Sequence, residues 1–311
     1  MLKELFTLLF LLLYINPVNS QLEDNKFFFV GHAYGSHKVK DQNFDPDLLH
    51  FINNQKDKLF DRIVLGGDVV YDCNDNIEID NLKRQLDSHN IKFIIGNHDT
   101  CSKMLELANK EFGSLNSYEI IKNTLVLYLN TSVTSDEEVE ELYNFIKTNI
   151  ENSSPQNVII FTHQLIFSKS DFYVRVNSRK YYEYGNKLYD KVYESYINSE
   201  IQFHFVAGDI GAFRYTPYSF YDAIDNFRLY GVGIGNLINQ KGLLIDFTDD
   251  IIVKFIDIKT LEIEPKEKYL RYKVQLYQFP KLILYYIKNY IIYILLPIII
   301  FFTYKINKSL R

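Results

Sequence analysis

Between residues 26 and 258 the chain alternates contiguous apolar runs with stretches of helical period. The runs KFFFVG (26–31), RIVLGGD (62–68), KFIIGN (92–97), TLVLYLNT (124–131), NVIIFTH (157–163) and IQFHFVAGD (201–209) predict strands. Their apolar residues are contiguous rather than alternating, as expected of sheets covered on both faces. Asp45-Pro46 opens a helix to about residue 58, with Asp as cap and Pro at the first helical position. IDNLKRQLDSH (79–89) predicts another, and SDEEVEELYNFIKTNIE (135–151) a third, opened by a capping box of Ser135 and Glu138. After Asp209 the pattern turns to all-β, with FRLYGVGIG, KGLLIDF and IIVKFIDI as meander strands. Ile166 to Gly185 has no clean period and predicts an inserted loop or lid. The alternation of strand and helix places the domain in the α/β class.

The two ends follow other patterns. One Lys precedes an apolar stretch from about Leu5 to Ile15, then Pro17, with small residues Val18 and Ser20. That is the build of a signal peptide over 1–20, an uncleaved anchor being the alternative. From Leu282 to Tyr304 the chain is apolar except for Lys288 and Asn289, about one bilayer span. Tyr285, Tyr286, Tyr290 and Tyr304 suit an aromatic belt, and Lys305, Lys308 and Arg311 place the tail in the cytoplasm by the positive-inside rule. The expectation is a domain over 21–258, a charged link over 259–280, a transmembrane helix over 281–304 and a cytoplasmic tail over 305–311. The lipid bilayer is then a partner and the domain is extracytoplasmic; the alternative for the last helix is a buried core helix.

Composition changes this picture little. Tyr (25) and Phe (24) are abundant and Trp is absent. The net charge of −5, without a dense Lys/Arg stripe, argues against nucleic acid as a partner. Cys73 and Cys101 lie beyond two different strand ends, so a disulfide and two free thiols both remain open.

The chemistry gathers at strand ends. VLGGD ends at Asp68, FIIGNHD at Asn97-His98-Asp99, IIFTH at His163, HFVAGD at Asp209, and FFFVGHAYG passes through His32. Open α/β sheets place ligands outside the carboxyl ends of their strands. Carboxylate, amide oxygen and imidazole together suit Mn, Fe or Zn. One strand-end Asp is usually a helix cap, but five such ends carrying ligand types point to a metal centre.

GGD, GNHD and a later TH, each after an apolar strand, resemble the calcineurin-like metallophosphoesterase family over roughly residues 26–258. The resemblance implies a four-layer α/β sandwich and hydrolysis of a phosphomonoester or phosphodiester by metal-bound hydroxide, with one or two divalent metal ions. It also implies roles: Asp68 bridging metals, Asn97 and His163 as ligands, and His98 as acid or charge stabiliser oriented by Asp99. Two blocks depart from the family pattern. GHAYG stands where Asp-x-His is usual, which makes His32 a candidate ligand and Tyr34 a ligand or substrate contact. GDIG stands where Gly-His-x-His is usual, so Asp209 replaces a His. Arg214 is a further candidate substrate contact. The competing expectation is a module that keeps the fold and one metal without turnover, within an envelope or surface-polysaccharide assembly. His204, inside a strand, reads as a core histidine; Asn130 and Asn152 open glycosylation sequons.

Overall fold

The computed structural model describes residues 25–35, 44–55, 59–73, 81, 84–85, 90–112, 115–166, 179–210, 219–235, 240–248 and 250–274, with scattered helical positions from 276 to 303. In chain order its strands are β1 (Lys26–Val30), β2 (Arg62–Leu65), β3 (Ile91–Phe93), β4 (Ser117–Ile121), β5 (Thr124–Tyr128), β6 (Asn157–Thr162), β7 (Gln202–Ala207), β8 (Phe220–Ile224), β9 (Phe227–Gly231), β10 (Lys241–Asp246), β11 (Ile252–Asp257) and β12 (Ile263–Pro265). The longer described helices are α1 (Pro46–Gln55), α2 (Ser102–Phe112), α3 (Asp136–Ser153) and α4 (Arg179–Tyr196).

Two mixed six-stranded sheets, ordered β12-β11-β10-β1-β2-β3 and β4-β5-β6-β7-β9-β8, face each other. β1, β2 and β3 are parallel, as are β5, β6, β7 and β9, while β10 pairs antiparallel with β1. Strand β1 shows why its apolar residues are contiguous. Phe27 and Phe29 enter the core between the sheets beside Phe161, and Phe28 packs outward on Phe51 of α1 with ring centroids 4.7 Å apart. Both faces are buried, so neither face has room for polar residues. Helices α3 and α4 cover the outer face of the second sheet through Leu142, Ile146, Leu188 and Val192. The result is an α/β sandwich with helices outside both sheets.

The predicted caps are present. Asp45 Oδ1 accepts the N–H of Asp47 and Leu48 ahead of α1, and Ser135 and Glu138 form a reciprocal capping box at α3. Three local expectations change. Residues 179–185, expected in a lid, form the first turns of α4, whose apolar period is carried largely by Tyr182, Leu188, Tyr189, Val192 and Tyr193. FRLYGVGIG does not join the β10–β11 meander; β9 pairs parallel with β7 in the other sheet. The stretch read as a link begins with β12, which pairs with β11, and a 3₁₀ turn (Lys266–Tyr269) that stacks Tyr269 on Phe255 at 4.0 Å.

Cys73 and Cys101 are disulfide-bonded, with Cα atoms 5.4 Å apart. Among the described residues no helix is long and apolar enough to cross a membrane. The described positions from 283 to 302 are helical, and Leu284, Tyr293, Ile300 and Phe301 are exposed. Residues 1–20, most of the helix expected over 79–89, the tail over 305–311 and Arg214 lie outside the described residues.

Candidate metal centre

The loops after β1, β2, β6 and β7 meet where both sheets end. His32 N–H donates to Gly67 O across the first sheet, and Asp209 N–H to His163 O across the second. Glycine makes the junction between the sheets: a Cβ on Gly31 would stand 1.9 Å from Gly208 O, and one on Gly208 2.0 Å from Gly66 O. The chain then turns sharply into the site. His32 (φ 54°) and Asp68 (φ 51°) both adopt the left-handed conformation, a strain of about 1–3 kcal/mol each that clusters at functional sites.

Three imidazoles are oriented in the same way. Nδ1 donates to a backbone carbonyl in each: His32 to Ile210 O at 2.8 Å, His163 to Gly66 O at 2.7 Å and His98 to Tyr71 O at 2.6 Å. A carbonyl only accepts, so the proton sits on Nδ1 and the neutral ring presents a lone pair at Nε2. His32 Nε2 lies 3.4 Å from both Asp68 Oδ2 and Asp209 Oδ1. His163 Nε2 lies 3.2 Å from Asp68 Oδ1 and 3.9 Å from Asp209 Oδ1. A lone pair facing a carboxylate repels it unless a cation stands between them.

Both Nε2 atoms are buried and lack a hydrogen-bond partner. Without a metal, protons take that place. Burial alone would lower the His32 pKa, but Asp209 and Asp68 outweigh it and raise it to about 10. His163 moves up for the same reason, with Asp68 as its main partner. Asp68 is held well below the usual carboxylate range by His163 and His32, against its burial.

The cluster therefore fits a divalent cation. His32, Asp68 and His163 each offer a ligand atom, all within 4.8 Å of one another, and Asp209 borders them. The backbone carbonyl behind each imidazole fixes its tautomer, as in protein metal sites generally.

The remaining candidates divide. His98 is beside the cluster: its N–H donates to Asp68 Oδ1 at 2.9 Å, and its half-exposed ring places Nε2 4.0 Å from Asp68 Oδ2. Asn97 is half-buried on the same turn. Asp99 does not orient the His98 ring. Its buried carboxylate accepts the N–H groups of Val69, Val70 and Gly96 and so ties the β2 and β3 loops. Burial and the nearby Asp68 raise its pKa to about 6.

Tyr34 is 3% exposed, and its ring stands 5.7 Å from that of His32. Burial, with Asp68 and Asp209 adding to it, drives its hydroxyl far above the ordinary value, so it stays a protonated donor. His204 is the core histidine expected: burial lowers its pKa to about 3, with Arg228 and Lys266 adding to the effect.

Sequence reading missed two supports. Tyr71 acts through its main-chain carbonyl, with its ring packed 5.7 Å from that of His98, and the carbonyl has no residue-type signature. Gln164, just after His163, accepts from Thr131 Oγ1 at 2.6 Å and donates to Ser132 Oγ at 3.0 Å. The hydroxyls of the sequon at Asn130 thus serve the fold, and the residues NTS and THQ were the available signal. Asn152 is exposed on the last turn of α3.

No family model matches the sequence, and no curated protein matches it. Solved structures similar to this chain are of the metallophosphoesterase fold, at low identity. A predicted phosphoesterase from Streptococcus pneumoniae is 8% identical, with a TM-score of 0.35 over 78% of this chain and 94% of that one. Vacuolar Protein Sorting 29 from Cryptosporidium parvum is also 8% identical, at 0.36 over 78% and 95%. A 5'-nucleotidase candidate from Staphylococcus aureus is 14% identical, at 0.45 over 80% and 58%. This chain is an α/β sandwich of two facing mixed sheets with a His/Asp cluster at their strand ends, and the solved structures similar to it have the metallophosphoesterase fold.

Proposed function

We propose that this chain is a membrane-anchored, metal-dependent phosphoesterase acting on a phosphomonoester or phosphodiester. One observation carries the reading: two buried, unpartnered imidazole Nε2 atoms face two carboxylates, an arrangement that calls for a cation. His32, Asp68, His163 and Asp209 would hold it, with Asn97 beside them. A bound Mn, Fe or Zn ion supplies Lewis-acid polarisation of the phosphoryl oxygens.

The chain's own groups do the rest. His98, held at Nδ1 by Tyr71 O, acts as general acid in its doubly protonated form, giving the Nε2 proton to the leaving oxygen and returning to the neutral Nδ1–H ring, a role worth roughly 10²–10⁴ in rate. Tyr34 donates its hydroxyl hydrogen to a phosphoryl oxygen, and Arg214 is a second substrate contact. The apolar segment 281–304 anchors the domain on the extracytoplasmic side of a bilayer, after a signal peptide over 1–20. The exposed apolar residues described between 283 and 302 support the anchor.

The second reading is a metal-holding module without turnover. It is favoured by the single metal-competent group found among the described residues. Elemental analysis of the purified chain after loading with Mn, Fe or Zn, alongside hydrolysis of aryl phosphate mono- and diesters, separates the two. The phosphoesterase reading expects bound metal and a turnover that drops roughly 10²-fold in His98→Asn. Bound metal without turnover on either ester class selects the module, and no bound metal sinks both. Resistance of the full chain to alkaline extraction from membranes, lost on removal of 281–311, tests the anchor.

A further inference from the structure

The loops after β2 and β3 are tied together at four places. His98 N–H donates to Asp68, and the Asp99 carboxylate accepts from Val69 and Val70. Farther out, His98 Nδ1 donates to Tyr71 O, and Cys73 is bonded to Cys101, whose N–H points at Cys73 Sγ at 3.3 Å. The inner ties hold main chain to a buried carboxylate. Only the outer ties act on the His98 ring, whose side chain is 38% exposed where that of Asp68 is 3% exposed.

An exposed imidazole keeps one rotamer only if something holds it, because fixing a free side chain is opposed by its entropy. Here the holder is a main-chain carbonyl, which stays in place only as long as its loop does. The Tyr71 ring adds contact on the same side, 5.7 Å from the His98 ring and 5.4 Å, edge-on, from Tyr34. The Cys73 sulfur is two residues beyond that carbonyl, and Cys101 three residues beyond His98.

We infer that Tyr71 and the Cys73–Cys101 bridge are positioning elements for His98. The bridge and the packing of the Tyr71 ring on His98 and Tyr34 together pin the loop that carries the Tyr71 carbonyl, the carbonyl fixes the Nδ1–H tautomer, and Nε2 is left facing Asp68. The inference rests on the proposed phosphoesterase activity for its kinetic consequence only; the state of the imidazole can be read without any turnover. A bridge that merely staples the fold would lower the melting temperature and leave the His98 ring unchanged.

The test is nitrogen-15 NMR of the histidines in the metal-free full chain, for wild type, Tyr71→Phe, Tyr71→Ala and the double variant Cys73→Ser/Cys101→Ser. Wild type and Tyr71→Phe should show His98 as a single Nδ1–H tautomer. Tyr71→Ala and the double variant should show averaged tautomers at His98, with the His32 and His163 signals and metal uptake unchanged. In turnover the latter two should lose about tenfold in kcat, part of the full acid contribution, with KM steady. Unchanged His98 signals in folded Tyr71→Ala or in the folded double variant overturn the inference. If the double variant fails to fold, Tyr71→Ala, with the bridge intact, decides. A single tautomer in wild type without turnover would sink the phosphoesterase reading and leave the positioning intact.

Discussion

Lys241, Asp257 and Glu264 form one buried charged cluster in this protein, and His32, Asp68, His163 and Asp209 form another. In the first, Lys241 Nζ lies 2.9 Å from Asp257 and 3.3 Å from Glu264. Asp257 Oδ1 also accepts the N–H groups of Lys259 and Thr260, and Glu264 accepts from Lys268 and the Tyr269 hydroxyl. Each carboxylate has its donors and the ammonium its acceptors. In the second cluster, two buried imidazole Nε2 atoms face two carboxylates without a hydrogen-bond partner, and the backbone beneath is left-handed at His32 and Asp68. The first cluster is complete as folded. The second needs protons or a metal ion between its imidazoles and carboxylates, which is how a candidate binding site differs from a staple.

The largest effect separating them should come from Asp68→Asn. The amide keeps the shape but removes the charge that both imidazoles face, so metal uptake should be abolished. The metal-free fold should also melt lower, because the variant removes the charge that pairs with two buried, protonated imidazoles. Elemental analysis with a thermal melt reads both quantities. Retained metal would show that the ion is held elsewhere, and an unchanged melt would show that the Asp68 charge pairs with neither imidazole in the metal-free fold.

Lys241→Met is the mirror experiment. It removes the one ammonium shared by Asp257 and Glu264, and breaking a buried pair in this way typically destabilises by about 3–5 kcal/mol. Chemical denaturation should show that loss, while metal uptake in the folded protein stays at the wild-type level. Loss of metal with no loss of stability would erase the distinction between the clusters.

The two clusters also differ in how far sequence reveals them. The site was legible because its chemistry rides on side chains at the ends of long apolar runs: Asp68, His98, His163 and Asp209 each follow one. The staple was not, because Lys241 and Asp257 lie in two expected strands and Glu264 in the expected link, and nothing in the sequence brings them together until β12 pairs with β11. That three-residue strand is too short to carry a period. β4, with alternating half-buried and exposed positions, gave an equally faint signal. Within the site, the supports that escaped were those made by main chain. The family resemblance implies Asp99 as the group that orients His98. Yet the carboxylate turns away to the backbone N–H groups of Val69, Val70 and Gly96, and the ring is held by the carbonyl of Tyr71, 27 residues distant. The pairing of Cys73 with Cys101 needed a distance that only the folded loops supply.

The smallest separation is by pH. Burial pushes the Asp257 carboxyl up, but the Thr260 and Lys259 N–H groups and the Lys241 ammonium outweigh it and hold its pKa below the ordinary value. A carboxyl lowered on folding contributes stability that is fully present above its unfolded value, about 3.9. That contribution is lost as pH falls through the lower folded value. Wild type should therefore lose stability in acid with a steeper slope below about pH 4 than Asp257→Asn, whose amide cannot titrate. Denaturation midpoints taken from about pH 6 downward read the slopes. Parallel curves would mean that the turn N–H groups hold the amide of the variant as well as the native carboxylate, and that charge contributes nothing to the staple. Above about pH 6 the two curves should keep a constant offset, because Asp257 is ionised in both the folded and unfolded wild-type chain and no longer binds protons differentially.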